Sequence, residues 1–252
     1  MWTAFPLTDG NFNSDRHLGK TAVIDAELVQ LRIAIAALQE TQIADEGYLR
    51  KSNYTFSWKG RDSSEARQHG VGFAMRNDFL NSVEGFRGVS IRIMVCRFNT
   101  DSGFITLMSA YARTLSSSAE LKDIFYYRLS RTVREVRSGD RLIILEYFNA
   151  QVGQSQTSWP ECVGSHVVGK INENGQRLLE FCSQNLLCVT NTYFKGIFTR
   201  KVSWKHPRSG HWHQFDVTFT RKKDLRDILY SRTFYSANCD TDHSLVVTTA
   251  SF

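Results

Sequence analysis

A layered α/β sandwich, with helices outside two packed sheets, is the fold class this sequence predicts, on three observations. Helix-then-strand units occur in both halves of the chain, short strand-like runs follow one another between them, and no linker interrupts the 252 residues. Residues 1–252 therefore read as a single domain, of a length within the range of one two-sheet sandwich.

The elements follow in order. Lys20–Leu31 carries Ile24, Leu28 and Leu31 at helical spacing with Asp25 and Glu27 outward, and the apolar run Ile33–Leu38 then ends in Gln39-Glu40-Thr41. That is a helix, a buried strand and a carboxylate at the strand's end. Val71–Met75, Ser90–Phe98 and Phe104–Tyr111 come next as three strands with turn residues such as Asn99–Gly103 between them, a succession that favours antiparallel pairing. Gly70 and Gly72 belong to a strand and not to a dinucleotide loop, since no helix opens after them. Ser117 and Glu120 form a capping-box pattern. Leu121, Ile124, Phe125, Leu129, Val133 and Val136 then recur on one face until Gly139. Leu142–Leu145 is apolar, β-branched and too short for a solvent-facing helix, so Leu142–Phe148 reads as a strand buried on both faces. It delivers Tyr147, Asn149 and a polar loop to the rim of a core, where sheet enzymes keep their chemistry. A second helix over Asn174–Cys182 feeds Leu187–Thr190, the alternation of His213, Phe215, Val217 and Phe219 marks a further strand, and Leu245–Thr249 is the last.

Composition narrows the classes. With three prolines, no low-complexity run and 42% apolar residues, the chain has the material for a large core. The net charge of +6 favours polyanionic partners. The five cysteines show no CxxC pairing, and Cys96, Cys182 and Cys188 lie in apolar segments, so they read as reduced core residues of an intracellular protein, nuclear or cytoplasmic. The N-terminal residues lack a basic region followed by an apolar core, and no run approaches a membrane span. Neither a signal peptide nor a membrane partner is expected.

Polar residues at strand ends or in adjacent loops are the candidates for chemistry: Glu40, Tyr111, Asn149, Asn174, Asp216 and the pair Asp242-His243. Singly, such residues are more often caps or solvated turns. Together, a carboxylate at one strand end and an Asp/His pair at another suit a hard divalent cation and a phosphate-directed imidazole. Trp204, His206 and Arg208 read either as a groove for nucleic acid or as a packing patch. His211 and His213 lack a third ligand at zinc spacing and read as strand-face histidines.

The order of the segments adds a resemblance. Ala37–Thr41, Gly70–Ala74, Ser109–Ala112, Phe148–Ala150, Asn172–Gly175, Asn191-Thr192, Trp204–Asp216 and Thr241–His243 together resemble the endonuclease/exonuclease/phosphatase superfamily, nearest to retrotransposon-derived endonuclease domains of the craniofacial development protein 2-like type. The resemblance implies a four-layered, deoxyribonuclease I-like α/β sandwich, two mainly antiparallel sheets with outer helices, that cuts phosphodiesters with magnesium, or manganese in its place. Carried over by position, it makes Glu40 and Asp242 metal ligands. Tyr111 contacts the scissile phosphate, Asn149 positions water and phosphate, and Asp216 orients the catalytic His243. Asn174, Trp204 and Arg208 fall at the substrate, which is DNA or, alternatively, RNA.

Two departures bear on activity, and a smaller one, at Arg113, on a loop. Where the family strand ends in Gly-Asp-Phe-Asn this one reads Glu146-Tyr147-Phe148-Asn149, and tyrosine is a poor base at neutral pH. Glu146 cannot replace the lost aspartate, because alternation puts Tyr147 and Asn149 on one face and Glu146 on the other. Trp2-Thr3 stands for the family's Trp-Asn, with a shortened first strand and no amide ligand, and Arg113 replaces a frequent proline, which should loosen its loop. The expectation is a DNA-directed, magnesium-dependent endonuclease with a degenerate active site and reduced activity. Its rival is a catalytically inactive nucleic-acid-binding or interaction protein on the same scaffold, ahead of a phosphodiesterase of inositol phosphates or sphingomyelin. No reverse-transcriptase segment follows Phe252, so template copying is not expected of this chain.

Overall fold

In chain order the first half consists of β1 (Trp2–Pro6), α1 (Ser14–Gln30), β2 (Ile35–Gln39), β3 (Glu46–Arg50), β4 (Tyr54–Lys59), β5 (Val71–Arg76), β6 (Val83–Ser90), β7 (Ile93–Thr100) and β8 (Gly103–Tyr111). The second half adds α2 (Ala119–Glu135), β9 (Arg141–Tyr147), α3 (Glu173–Gln184), β10 (Leu187–Val189), β11 (Trp204–Lys205), β12 (Trp212–His213), β13 (Asp216–Arg221), β14 (Ile228–Phe234) and β15 (Leu245–Ala250). This structure, a computed structural model, describes residues 2–6, 14–153, 156–206, 208–234 and 243–252, without the side chains of 2–6, 14–18 and 20.

Two parallel strand pairs set the architecture, because parallel neighbours need a crossover and a helix is the compact way to make one. β1 lies parallel to β2 with α1 between them in sequence, and β8 lies parallel to β9 with α2 between them. Around the first pair a seven-stranded sheet forms in the order β14-β15-β1-β2-β5-β4-β3, and around the second a six-stranded sheet in the order β10-β13-β9-β8-β7-β6. The other described pairings in both are antiparallel. β1, the strand expected to be shortened, pairs with β2 at each of its five residues.

Three cores separate four layers. Ile24 and Leu28 of α1 pack with Ala36, Leu38 and Phe56 of the larger sheet, whose opposite face sends Ile35, Ala37, Phe73 and Met75 against Met94, Cys96, Leu107, Ile143 and Leu145 of the smaller one. Phe125, Leu129 and Val133 of α2 and Leu178, Leu179 and Cys182 of α3 cover that sheet's outer face. The four-layered α/β sandwich is therefore present, and β9 is buried on both faces. Cys96, Cys162, Cys182 and Cys188 are free and buried, while Cys239 lies outside the described residues.

Several local expectations need correction. The first helix begins at Ser14, not Lys20, and Asp25 faces inward, where its carboxylate accepts from the backbone N–H of Asn53 and Tyr54 at the turn before β4. Val71–Met75 pairs with β2 and β4 in the larger sheet and not with the two strands that follow it. The stretch Ser90–Phe98 is two strands, since Ser90 ends β6 and β7 starts at Ile93. The second helix is capped by Ser118, which accepts from Leu121 N at 3.4 Å, rather than by Ser117, and it stops at Glu135, not Gly139. Leu121 and Ile124 are exposed, and Lys122 and Thr132 lie on the buried face instead.

Alternation along β9 puts Ile143, Leu145 and Tyr147 between the sheets and Leu142, Ile144 and Glu146 under the helices. Glu146 is 0% exposed and neither carboxylate oxygen has a hydrogen-bond partner. Burial drives its proton affinity well up, so it is held as the neutral acid. A folded-state value above the unfolded one gives stability that is complete at acid pH and is lost as pH rises above about 4.3, by up to about tenfold in the folding constant per pH unit. Glu146→Gln should flatten that decline and raise the melting temperature at neutral pH. Thermal melts of both proteins across pH check this, and a parent curve as flat as the variant's would show that the carboxyl is not buried uncharged.

Candidate active site

The topology collects five strand termini on one edge. β2, β8 and β9 end there, while β13, antiparallel to β9, and β15, antiparallel to β1, begin there. Hydrogen bonds across the interior hold the two sheets together at this edge: Ser109 Oγ donates to Leu38 O at 3.0 Å, and Gln39 Nε2 to Ser109 Oγ and Leu145 O at 3.4 Å. The side chains beyond them are Glu40, Tyr111, Tyr147, Asn149, Asp216 and His243.

Tyr147 is their meeting point. Its hydroxyl donates to Asn149 Oδ1 at 2.8 Å, its ring stacks on Tyr111 with centroids 5.9 Å apart, and the His243 ring meets it edge-on at 4.5 Å. Phe215 closes the other side at 6.3 Å. Beyond Tyr111, whose hydroxyl donates to Glu40 Oε1, the chain has reached the left-handed region, with φ of 52° at both Glu40 and Asn149. Burial, with the Glu40 carboxylate adding to it, pushes the Tyr111 phenol up, so it stays a donor at any physiological pH. His243 Nδ1 lies 2.8 Å from Asp216 Oδ2, and both side chains are almost wholly buried.

Ser203 aligns this pair. Its Oγ accepts from Phe215 N at 3.2 Å and Asp216 N at 3.1 Å, and its carbonyl accepts from Ser244 N at 2.7 Å, so one buried residue ties β13 to the segment carrying His243. Trp204 continues the tie as a bridge partner of His243, with its ring 5.2 Å from Phe215 and 6.2 Å from the imidazole. Under the Asn149 loop, Asn172 Oδ1 caps α3 by accepting from Gly175 N at 2.7 Å and also accepts from Gln151 N at 3.0 Å. A Cβ at Gly175 would come within 1.9 Å of Gln151 O, which explains the glycine.

Of the residues expected at the substrate, Asn174 lies against the Asn149 and Arg113 backbone. It is 3% exposed and its Nδ2 donates to the carbonyls of Arg113 at 3.1 Å and Asn149 at 3.4 Å. Trp204 packs within the aromatic cluster, and Arg208 is exposed at the turn between β11 and β12, with its backbone N–H on His206 Nδ1. Asp242 and the Thr3 side chain lie outside the described residues.

No family model matches the chain. It is 27% identical over 229 residues to craniofacial development protein 2 of Bos taurus, covering 91% of this chain and 38% of that protein, so it spans about two fifths of the relative's length. Among solved structures, the endonuclease domain of TRAS1, a telomere-specific non-LTR retrotransposon, superposes with a TM-score of 0.66 at 17% identity, covering 100% of this chain and 98% of that one. The Xenopus laevis APE2 catalytic domain gives 0.70 at 15% identity, covering 99% and 91%. The 3′ phosphatase NExo from Neisseria, bound to product DNA hairpin, gives 0.69 at 12%, covering 100% and 99%. The fold is that of the endonuclease/exonuclease/phosphatase superfamily.

Among the described residues of this rim, Glu40 could serve a divalent metal. Glu40 offers one carboxylate, and magnesium takes one or two and keeps its water. Among the described residues no three His, Cys, Asp or Glu side chains come together, and Asn149 Oδ1 already accepts from Tyr147. Sequence reasoning missed Ser203 and Arg92, whose partners are backbone atoms remote in sequence and so leave no periodic signal.

Ser203→Ala would leave the buried N–H groups of Phe215 and Asp216 without an acceptor, at a cost of about 2 kcal/mol. Urea denaturation measures this, and a change under about 0.5 kcal/mol would mean that water or another group takes over.

Proposed function

We propose that the chain is a magnesium-dependent phosphodiesterase acting on DNA, an endonuclease of retroelement descent whose turnover Tyr147 holds down. The observation that supports it best is the convergence of an Asp216-oriented imidazole, the Asn149 amide and the Tyr111–Glu40 pair on the ring of Tyr147 at one rim. Likeness to a retrotransposon endonuclease domain and to an enzyme bound to DNA, with a net charge of +6, favours DNA, with RNA as the other substrate of the same chemistry. The four buried free cysteines agree with an intracellular setting.

Each group has a task. Asp216 holds His243 by Nδ1 and stabilises the imidazolium, which directs Nε2 to charge developing on the phosphate. Asn149 has its Oδ1 engaged and a buried Nδ2 without a partner, a donor for a phosphate oxygen or for the attacking water. Tyr111 donates at the same rim. Magnesium bound through Glu40, with Asp242 and water, would supply charge to the phosphate and the leaving oxygen. The general base is what the rim lacks, since Tyr147 occupies its position.

One observation favours the rival, a catalytically inactive nucleic-acid-binding or interaction protein. The Tyr147 hydroxyl and ring engage Asn149 and His243, the two groups that the substrate would otherwise meet.

Two experiments separate the readings. Tyr147→Asp should raise magnesium-dependent plasmid nicking by roughly 10²–10⁴, the usual contribution of a positioned base, while Tyr147→Phe, which keeps the ring and supplies no base, should not. Loss of the buried ring costs about 3 kcal/mol, so the melting curve is recorded alongside. Nicking by Tyr147→Asp no faster than by the parent, in protein that is still folded, would favour the inactive scaffold. Magnesium should also raise the melting temperature of the parent and not of Glu40→Ala, and an equal shift in both would remove Glu40 from the metal site.

A further inference from the structure

The rim beside Tyr111 carries positive charge that the roles above do not use. Arg92 is 6% exposed and its guanidinium lies over the Tyr111 ring at 4.6 Å, with Nη1 donating to the carbonyls of Tyr111 and Ala112 at 3.0 Å each. The next residue is Arg113, whose own carbonyl is held by Asn174 at 3.1 Å. The segment expected to be loosened by a missing proline is therefore fastened at three successive carbonyls. Its backbone is fixed while its side chain is not: among the described residues the Arg113 guanidinium makes no hydrogen bond or ion pair, and its Nε is buried without a partner.

Two neighbouring segments bring a further basic side chain each. His69 sits with its ring 5.8 Å from Tyr111 and φ of 67°, on a turn joined to the Glu40 segment by Gln42 N to His69 O at 2.7 Å and Thr41 N to Gly70 O at 3.2 Å. Arg61 follows on a loop tied to the same segment through Asp45 N to Arg61 O at 2.6 Å, and its only described ion pair is a 3.3 Å contact with the exposed Glu65. The Nε atoms of Arg61 and Arg92, like that of Arg113, are buried without a partner. These groups feel one another. Burial, then Arg92, Arg113 and Arg61, lowers His69 to about 4, so it is neutral at physiological pH. Burial and the Arg113 charge bring Arg92 down to about 10, and burial with Arg61 lowers Arg113.

Carbonyl contacts account structurally for Arg92, and a surface ion pair of small value accounts for Arg61. Neither accounts for Arg113, a partly buried cation that crowds two others. Three arginines held around the Tyr111 and Glu40 segments, each with an Nε that has no partner in the protein, suit the oxygens of a phosphate, whose charge would relieve the repulsion.

We propose that Arg113, with Arg61 and Arg92, forms an anion site beside Glu40 and Tyr111 that takes a backbone phosphate of the nucleic-acid strand next to the one facing His243. The identity of the strand rests on the proposed function. The anion site itself does not.

The test uses the full chain in EDTA, which removes metal-bridged anions, with two probes. The first is pyrophosphate, read as a shift in melting temperature. The parent should be stabilised, and Arg113→Ala should lose the shift while melting no lower than the parent without the anion, because its side chain has no partner to lose. The second is a fluorescent duplex oligonucleotide, whose affinity is measured against salt. One phosphate contact fewer should reduce the slope of log K against log salt by about 0.9 in Arg113→Ala, with the slope kept by Arg113→Lys and by Arg134→Ala on the remote face of α2. An undiminished pyrophosphate shift in Arg113→Ala, or none in the parent, overturns the site. A shift that depends on Arg113 in a parent that does not bind duplex upholds the site and overturns the nucleic-acid reading.

Discussion

The space between the two sheets is closed at one edge by the ring of Tyr147, and the arrangement of the rim follows from that packing. The ring is 9% exposed, rests on Tyr111 and Phe215, and takes the edge of His243. Register explains why these meet: Tyr111 and Asp216 are the direct neighbours of Tyr147 on the two flanking strands. Three rim residues thus stand side by side across β8, β9 and β13. A slip of one residue in β9 would move Tyr147 under the helices and bring Glu146, a carboxyl, to the rim.

Backbone strain concentrates in the same place. Glu40, Gln42, His69 and Asn149 all have φ between 51° and 67°, a conformation that costs a non-glycine residue about 1 kcal/mol or more. Each lies in a segment fastened by bonds from another part of the chain. Gln42 N and Thr41 N reach the His69–Gly70 turn, and Asn174 Nδ2 supports the Asn149 carbonyl. The cross-links hold the rim in a shape that the local sequence would not adopt alone, and they are intact although the position of the family's aspartate is filled by tyrosine.

What the sequence made legible were features with a period. The apolar run of β9 announced burial on both faces, and alternation placed Tyr147 with Asn149 and against Glu146, which the hydrogen bond of 2.8 Å and the opposite burial of Glu146 bear out. Edge strands were less legible. β3 alternates between exposed and half-buried residues and β6 carries Gly85 and Gly88, so neither has an apolar run to detect. Sheet membership was not legible either, because Val71–Met75 and Ile93–Thr100 have the same character and only tertiary pairing assigns them to different sheets. Asp25 and Ser203 were misread or missed for a related reason: their partners are backbone groups made available by turns elsewhere in the chain.

The departures from the family pattern act in one direction. Tyrosine at 147 removes a carboxylate from beside Asp216 and His243, threonine at 3 removes an amide, and arginine at 113 adds a cation where a proline is frequent. The first subtracts a base, the second subtracts an amide oxygen that a divalent metal would use, and the third adds a hydrogen-bond donor that an anion can use. On the proposed function, one carboxylate fewer and one arginine more leave this rim with more positive charge, which favours attraction to a polyanion. On that function, binding and cleavage therefore need not decline together. On the proposed function, a rim that carries Tyr147 where the resembled pattern has a carboxylate, yet keeps His243 on Asp216 and bears Arg113, is better suited to holding a phosphate chain than to cutting one.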